Sequence, residues 1–157
     1  MNNRILWIDV ARGISILAMI TFHFAFDLMY FGLAKSDLIY QPYWRLFERV
    51  IASSFLYIAG LSLFITHSST INWKSFIRRY GATAICAVLI SLVTFILFKT
   101  DMIRFGILHA ISVSGLIGLL LLKLNTASLI LLTVLIFALN LLLQKPVEGH
   151  YLLQWLI

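Results

Sequence analysis

The sequence predicts an all-α protein, a polytopic bundle of transmembrane helices. Of its 157 residues, 62% are hydrophobic and only 11% are charged, whereas soluble domains have about 45–50% apolar and about 25% charged residues. Apolar runs of about 20 residues recur, which is the length of a helix that crosses the hydrocarbon core. The alternating pattern of membrane β-barrel strands is absent. We therefore expect an integral membrane protein with a single domain over residues 1–157.

Five apolar runs define the predicted spans, and polar or helix-breaking residues separate them. The segment 4–12 leads into the first span as a continuing or interfacial helix. The second span follows a connection that contains Pro42, and the third follows a basic connection that contains Trp73. Lys123 and Asn125 mark a tight turn before the fifth span. The predicted spans are residues 13–31, 47–66, 80–98, 105–122 and 127–143.

The two ends of the chain give further expectations. A sixth apolar run extends from Tyr151 to Ile157, where the sequence ends. This run is too short to cross about 30 Å of hydrocarbon. We therefore expect the domain to be cut short at its C-terminus. The net charge of +6 comes from basic residues that stand singly or in small groups between apolar runs. We assign these residues to membrane topology, with a cytoplasmic N-terminus, and expect no nucleic acid partner.

The first span carries ionisable side chains along one face. Asp9 and Asp27 are 18 positions apart, about five helical turns, so they lie at the same angle around the helix axis. Arg12 and His23 fall in the same sector. We call Asp9, Arg12, His23 and Asp27 the polar face. Because ionisable groups are costly in lipid, this face must turn toward protein or water, which makes it a candidate site.

Within the polar face, His23 and Asp27 are four residues apart, so their side chains can meet. A carboxylate that accepts a hydrogen bond from one imidazole nitrogen fixes the tautomer and makes the other nitrogen more basic, as in a general base. A polar clamp between helices explains the pair as well. For Asp9 and Arg12, three residues apart, the simpler explanation is an ion pair at the membrane surface.

His109 lies near the start of the fourth span, where a packed histidine and a functional one are both consistent with the sequence. Arg104 can hold phosphate or carboxylate groups, or can extend to the lipid headgroups. The stripe of small residues Ala110, Ser114 and Gly118 allows close approach of another helix, within the chain or in a homo-oligomer. No spacing typical of a metal site occurs, and we expect no bound cofactor.

Three motifs can be compared with known families. They are Ile8-Asp9-Val10-Ala11-Arg12-Gly13 followed by His23 and Asp27, then Ile58-Ala59-Gly60, then Arg104-Phe105-Gly106-Ile107-Leu108-His109. Together they resemble the bacterial branch of the heparan-α-glucosaminide N-acetyltransferase family, over essentially the whole chain. This family consists of multi-span membrane acyltransferases. The resemblance implies transfer of an acetyl group from acetyl-CoA, on the cytoplasmic side of a bacterial inner membrane, to a sugar amine or hydroxyl across it.

The resemblance also implies roles for residues. We expect His23 to act as the base or as a transient acyl carrier, oriented by Asp27, and His109 to assist at the acceptor. Asp9 and Arg12 would shape the mouth on the CoA side. The remaining binding residues would be arginines that pair with phosphate or carboxylate groups: Arg78, Arg79 and Arg104. The partners would be the lipid bilayer, acetyl-CoA and a saccharide.

One departure from the family and two alternatives stay open. Eukaryotic lysosomal members are thought to use a histidine in the connection after the first helix, and residues 35–44 contain none. A transporter or channel subunit would use the His23 and Asp27 side chains for protons or a solute. A membrane assembly protein or an inactive remnant is the third possibility.

Overall fold

The computed structural model describes residues 5–35, 37–97 and 104–142, and these fold into five α-helices without any strand. A short 3-10 turn, Leu38–Tyr40, lies between the first two helices. The all-α prediction is therefore confirmed. The helices are α1 Leu6–Tyr30, α2 Pro42–His67, α3 Trp73–Leu97, α4 Ile107–Leu121 and α5 Thr126–Leu142.

The chain divides into two compact units, Met1–Ser62 and Leu63–Ile157. The first contains α1 and most of α2, and the second contains the end of α2 together with α3, α4 and α5. The expectation of a single domain stays a prediction. The sixth apolar run predicted from Tyr151, and the last residue of the fifth predicted span, residue 143, lie outside the described residues.

Three helices, not five, are long and apolar enough to cross a membrane in the described part of the chain. With 25, 26 and 25 residues, α1, α2 and α3 measure about 38 Å at 1.5 Å per residue, more than the hydrocarbon core of about 30 Å. The fourth and fifth predicted spans form apolar helices of 15 and 17 residues, about 22 and 26 Å long. The backbone of Gly106 is extended, so α4 begins only at Ile107.

The first predicted span and its leading segment form one continuous helix, α1. Its end is a Schellman motif, in which the Gly32 N–H donates to Met29 O and the Leu33 N–H donates to Leu28 O. Gly32 has φ +71°, a left-handed conformation that glycine adopts without a steric penalty. The motif satisfies the last carbonyls of α1 and reverses the chain toward α2.

The second and third helices begin earlier than predicted, at Pro42 and Trp73. Proline has a fixed φ and lacks an N–H, so it suits the first helical position rather than breaking the helix. The side chain of Asn72 caps α3 by accepting the Ser75 N–H at 3.0 Å. One π turn, Ile77–Gly81, then continues the helix. The basic segment predicted as a surface connection is therefore largely the first part of α3.

In the first unit, α1 packs through a face next to the polar face. Its buried residues are Ile8, Ser15 and Ala25. Phe22 contacts Trp44 of α2 edge to face, with ring centroids 6.1 Å apart. His23 is exposed beside this contact, so α1 buries apolar surface without burying the histidine.

In the second unit, a small core forms around Leu63, Phe76, Tyr80 and Leu119. The Phe76 and Tyr80 rings stack with centroids 4.7 Å apart. Gly115 of α4 faces the Tyr80 ring so closely that an added Cβ would overlap it. The structure thus shows close approach at Gly115, which joins α4 to α3, and at Gly118 of the predicted stripe, which faces the Leu63 side chain of α2. The rest of the stripe stays a prediction.

Candidate active site

Asp9 and Arg12 form the predicted ion pair on α1, and the pair reaches a second helix. Arg12 Nη1 donates to Asp9 Oδ1 at 3.0 Å, and Arg12 Nη2 donates to Ser62 Oγ of α2 at 3.3 Å. Ser62 is buried, whereas the side chains of Arg12 and Asp9 are 36% and 48% exposed. The planar guanidinium thus has two fixed bonds and further N–H donors that can meet an anion.

His23 and Asp27 share the exposed flank of α1 but are not joined in this structure. No hydrogen bond or ion pair connects them within residues 5–35, and neither side chain is hydrogen-bonded to another described residue. The His23 ring contacts Phe22 edge to face, with centroids 6.0 Å apart. Both side chains therefore keep their hydrogen-bonding capacity, and the orienting role of Asp27 stays a prediction.

His109, in contrast, has both ring nitrogens engaged. It occupies the third position of α4, where Nδ1 accepts the Gly106 N–H at 3.2 Å. This is one half of a capping box, with histidine in the position that glutamate or glutamine usually fills. Nε2 lies 3.3 Å from Ser91 Oγ of α3. Any role for His109 at a substrate requires that one of these two bonds be exchanged.

The three remaining predicted residues are exposed arginines of the second unit. Arg78 and Arg79 lie in the π turn of α3, and Arg104 lies just before α4. Because Arg104 is exposed, it can either bind an anion or extend to the lipid headgroups, and the exposed Arg78 and Arg79 can also reach an anion. Among the described residues, no group of three or more His, Cys, Asp or Glu side chains could hold a metal ion.

The sequence analysis missed three polar residues that the structure uses. His67 is buried at the end of α2, with Nδ1 3.3 Å from Leu63 O and Nε2 3.3 Å from Asn72 O. It joins the end of α2 to the residue that caps α3. Ser62 and Ser91 bind Arg12 and His109. These residues could have been predicted from the sequence, because single polar residues inside apolar helices commonly form hydrogen bonds between helices.

Comparison with known proteins identifies the family. The model of a family described as heparan-alpha-glucosaminide N-acetyltransferase, catalytic, matches residues 4–157. No curated protein and no solved structure matches the chain. The match includes the whole polar face as well as His109, and it agrees with the long apolar helices. The chain belongs to the heparan-α-glucosaminide N-acetyltransferase catalytic family and is thus an integral membrane acetyltransferase.

Proposed function

We propose that the protein transfers an acetyl group from acetyl-CoA to a sugar amine or hydroxyl across a bacterial inner membrane, with its N-terminus in the cytoplasm. The acceptor nitrogen or oxygen attacks the acetyl carbonyl carbon, and a C–N or C–O bond forms as the thioester C–S bond breaks. The acceptor loses a proton, and the CoA thiolate takes one up. His23 carries this proton or, as a transient acyl carrier, the acetyl group itself.

One observation carries the proposal: His23 and Asp27 stand exposed and unbonded on a helix that is long enough to span a membrane. Burying an ionisable group at the centre of a bilayer costs about 2.5–3.5 kcal/mol. A purely structural pair would offset this cost by bonding to another helix, and no described residue bonds to either side chain. Together with the family, this favours a pair that meets a substrate.

The Asp9–Arg12 pair supports binding of an anionic donor. Arg12 keeps N–H donors beyond the bonds to Asp9 and Ser62, and it is partly exposed. Bonds from a guanidinium to phosphate are charge-assisted and stronger than neutral ones. We propose that Arg12 binds a phosphate of CoA while Asp9 and Ser62 hold its orientation. Arg78, Arg79 and Arg104 are further candidates for phosphate contacts.

The test uses the protein in membranes with acetyl-CoA radiolabelled in the acetyl group. We expect label in an added amino sugar, or in a sugar with hydroxyls alone if transfer is to oxygen. His23→Ala should lower the rate about 10²–10⁴-fold, the usual contribution of a positioned general acid–base group. Thr21→Ala is the matched control, because Thr21 is exposed on α1 and its hydroxyl donates to Leu17 O of its own helix.

The outcomes separate the proposal from its alternatives. Loss of transfer in His23→Ala, with Thr21→Ala active and both folded, supports the proposal. Label that stays on the wild-type protein before it reaches the sugar, and is absent from His23→Ala, identifies His23 as an acyl carrier. Folded wild-type protein that transfers no label to any sugar, yet moves protons or a solute across the membrane, overturns it in favour of a transporter.

A further inference from the structure

The imidazole ring of His109 is held on several sides. Nδ1 accepts the Gly106 N–H at 3.2 Å, and Nε2 lies 3.3 Å from Ser91 Oγ. The Phe105 ring packs against the imidazole with centroids 5.6 Å apart and planes 32° apart. The ring is therefore fixed both in position and in the orientation of its plane.

This arrangement selects one tautomer. A ring nitrogen that accepts an N–H bond uses its lone pair for that bond and carries no proton. The single proton of the neutral ring is therefore on Nε2, and Nε2–H donates to Ser91 Oγ. A second proton would have to be on Nδ1, where it would point at the Gly106 N–H. The start of α4 thus fixes the donor of the His109 ring at Nε2.

We propose that His109 acts in acetyl transfer as a hydrogen-bond donor, through Nε2–H to the acetyl carbonyl oxygen, and is neither a base nor an acyl carrier. This proposal rests on the proposed function. Negative charge develops on that oxygen when the acceptor attacks the carbonyl carbon, and it is relieved when the C–S bond breaks. A base or carrier needs a ring nitrogen with a free lone pair. Nδ1 has none, and Nε2 is protonated.

Ser91 is the positioning residue of this donor. Its Oγ accepts Nε2–H when no substrate is bound, so the donor keeps its direction, and the carbonyl oxygen then takes the place of the serine. The Nε2 proton stays on the ring throughout the reaction. A donor fixed in advance stabilises developing charge without having to reorganise, which is the principle of an oxyanion hole.

Substitution of His109 by glutamine distinguishes a role as hydrogen-bond donor from a role as base or acyl carrier. His109→Gln places an oxygen that can accept the Gly106 N–H and an amide N–H that can donate, and glutamine is common in this position of a capping box. The amide is neither a base nor an acyl carrier. His109→Leu can form neither bond. Ser114→Ala is the matched control on the same helix, since Ser114 is exposed and bonds only the Ile111 carbonyl of α4.

We expect His109→Leu to lower kcat about 10²–10³-fold, the usual cost of losing one oxyanion-hole donor, and His109→Gln to recover at least about tenfold of that loss. Equal losses of kcat in the two folded variants overturn the donor role. An unchanged kcat in folded His109→Leu also overturns it and leaves His109 as a helix cap.

A spectroscopic measurement tests the tautomer without turnover. Nitrogen-15 NMR of His109 in wild-type protein without substrate should show one protonated nitrogen, Nε2, and Ser91→Ala should shift the Nε2–H signal while Nδ1 stays unprotonated. A ring protonated on Nδ1, or on both nitrogens, overturns the proposal. If instead the wild-type protein transfers no label, the proposed function fails and the donor role fails with it, whereas the NMR result still reports the tautomer.

Discussion

Helices α1 and α4 each carry one of the two histidines predicted to be catalytic, and they hold them in opposite ways. His23 on α1 is exposed, and its ring nitrogens have no hydrogen bond to a described residue. His109 on α4 is bonded at Nδ1 and Nε2, to Gly106 and Ser91. Residue type alone therefore does not assign a role. A ring nitrogen with a free lone pair can exchange protons, whereas His109, whose Nδ1 accepts a backbone N–H, is left with Nε2–H as a donor.

Apart from substitutions of the two histidines themselves, the largest effect should come from Asp27→Asn, which tests whether Asp27 orients the His23 ring during the reaction. If Asp27 orients the ring in the substrate complex, the amide presents a wrong partner and kcat should fall about 10²-fold or more, within the range for acid–base groups. The pH dependence of kcat should change as well. Steady-state kinetics with labelled acetyl-CoA measures both quantities.

Asp27→Glu is the control for this effect, because it keeps the carboxylate while moving it by one methylene. It should be more active than Asp27→Asn. If Asp27→Asn has wild-type kcat and the same pH profile, the orienting role is wrong, and the contrast between the two histidines would rest on His23 alone.

The next effect concerns how α4 is held against α3. Gly115→Ala places a methyl group inside the Tyr80 ring position, and overpacking of this kind costs about 1–3 kcal/mol. We expect a lower apparent melting temperature and a weaker His109–Ser91 bond, because the two helices must separate. Thermal unfolding in detergent measures the first, and the NMR signal of Nε2–H measures the second.

Gly60→Ala is the matched control for Gly115→Ala. Gly60 lies inside α2, and an added Cβ there would meet no atom within 4 Å. Alanine should be tolerated or slightly stabilising at this position, because it is favoured over glycine in a helix by about 1 kcal/mol. An equal loss of stability in both variants would show that the Tyr80 contact is not the cause.

The smallest effect on stability should come from Asp9→Asn. Both members of the Asp9–Arg12 pair are partly exposed, and such pairs contribute about 0–1 kcal/mol. We expect an almost unchanged melting temperature but a higher KM for acetyl-CoA, because a neutral amide oxygen replaces the carboxylate that orients Arg12 and the bond is no longer charge-assisted at both ends. A large loss of stability with an unchanged KM would assign the pair to folding instead.

Much of the fold follows from sequence because hydrophobic length and polar spacing are local properties. The polar face of α1 was predicted from spacing alone, and the Asp9–Arg12 bond confirms one of its pairs. Helix starts were less predictable. The sequence predicts a break in helical structure at Pro42, yet a proline in the first turn of a helix loses no hydrogen bond. The early start of α3 depends on the Asn72 side chain, which caps the helix. From sequence alone, the polar residues around Asn72 fit a surface connection equally well.

The parts of the site that sequence could not predict depend on contacts between helices. Ser91 is 18 residues from His109, and Ser62 is 50 residues from Arg12. Nothing in the local pattern specifies which serine meets which partner. The capping role of His109 was also missed, because histidine is an unusual residue for that position and the predicted span began two residues earlier, at residue 105.

The most direct test of the central claim is one substitution made at two positions. His23→Gln and His109→Gln are compared for transfer of labelled acetyl to a sugar, in the same membranes and with folded protein measured alongside. We expect His23→Gln to lose transfer, because an amide can carry neither the proton nor the acetyl group. We expect His109→Gln to retain a measurable rate, because an amide still donates. Transfer lost at His109 and kept at His23 would contradict the account.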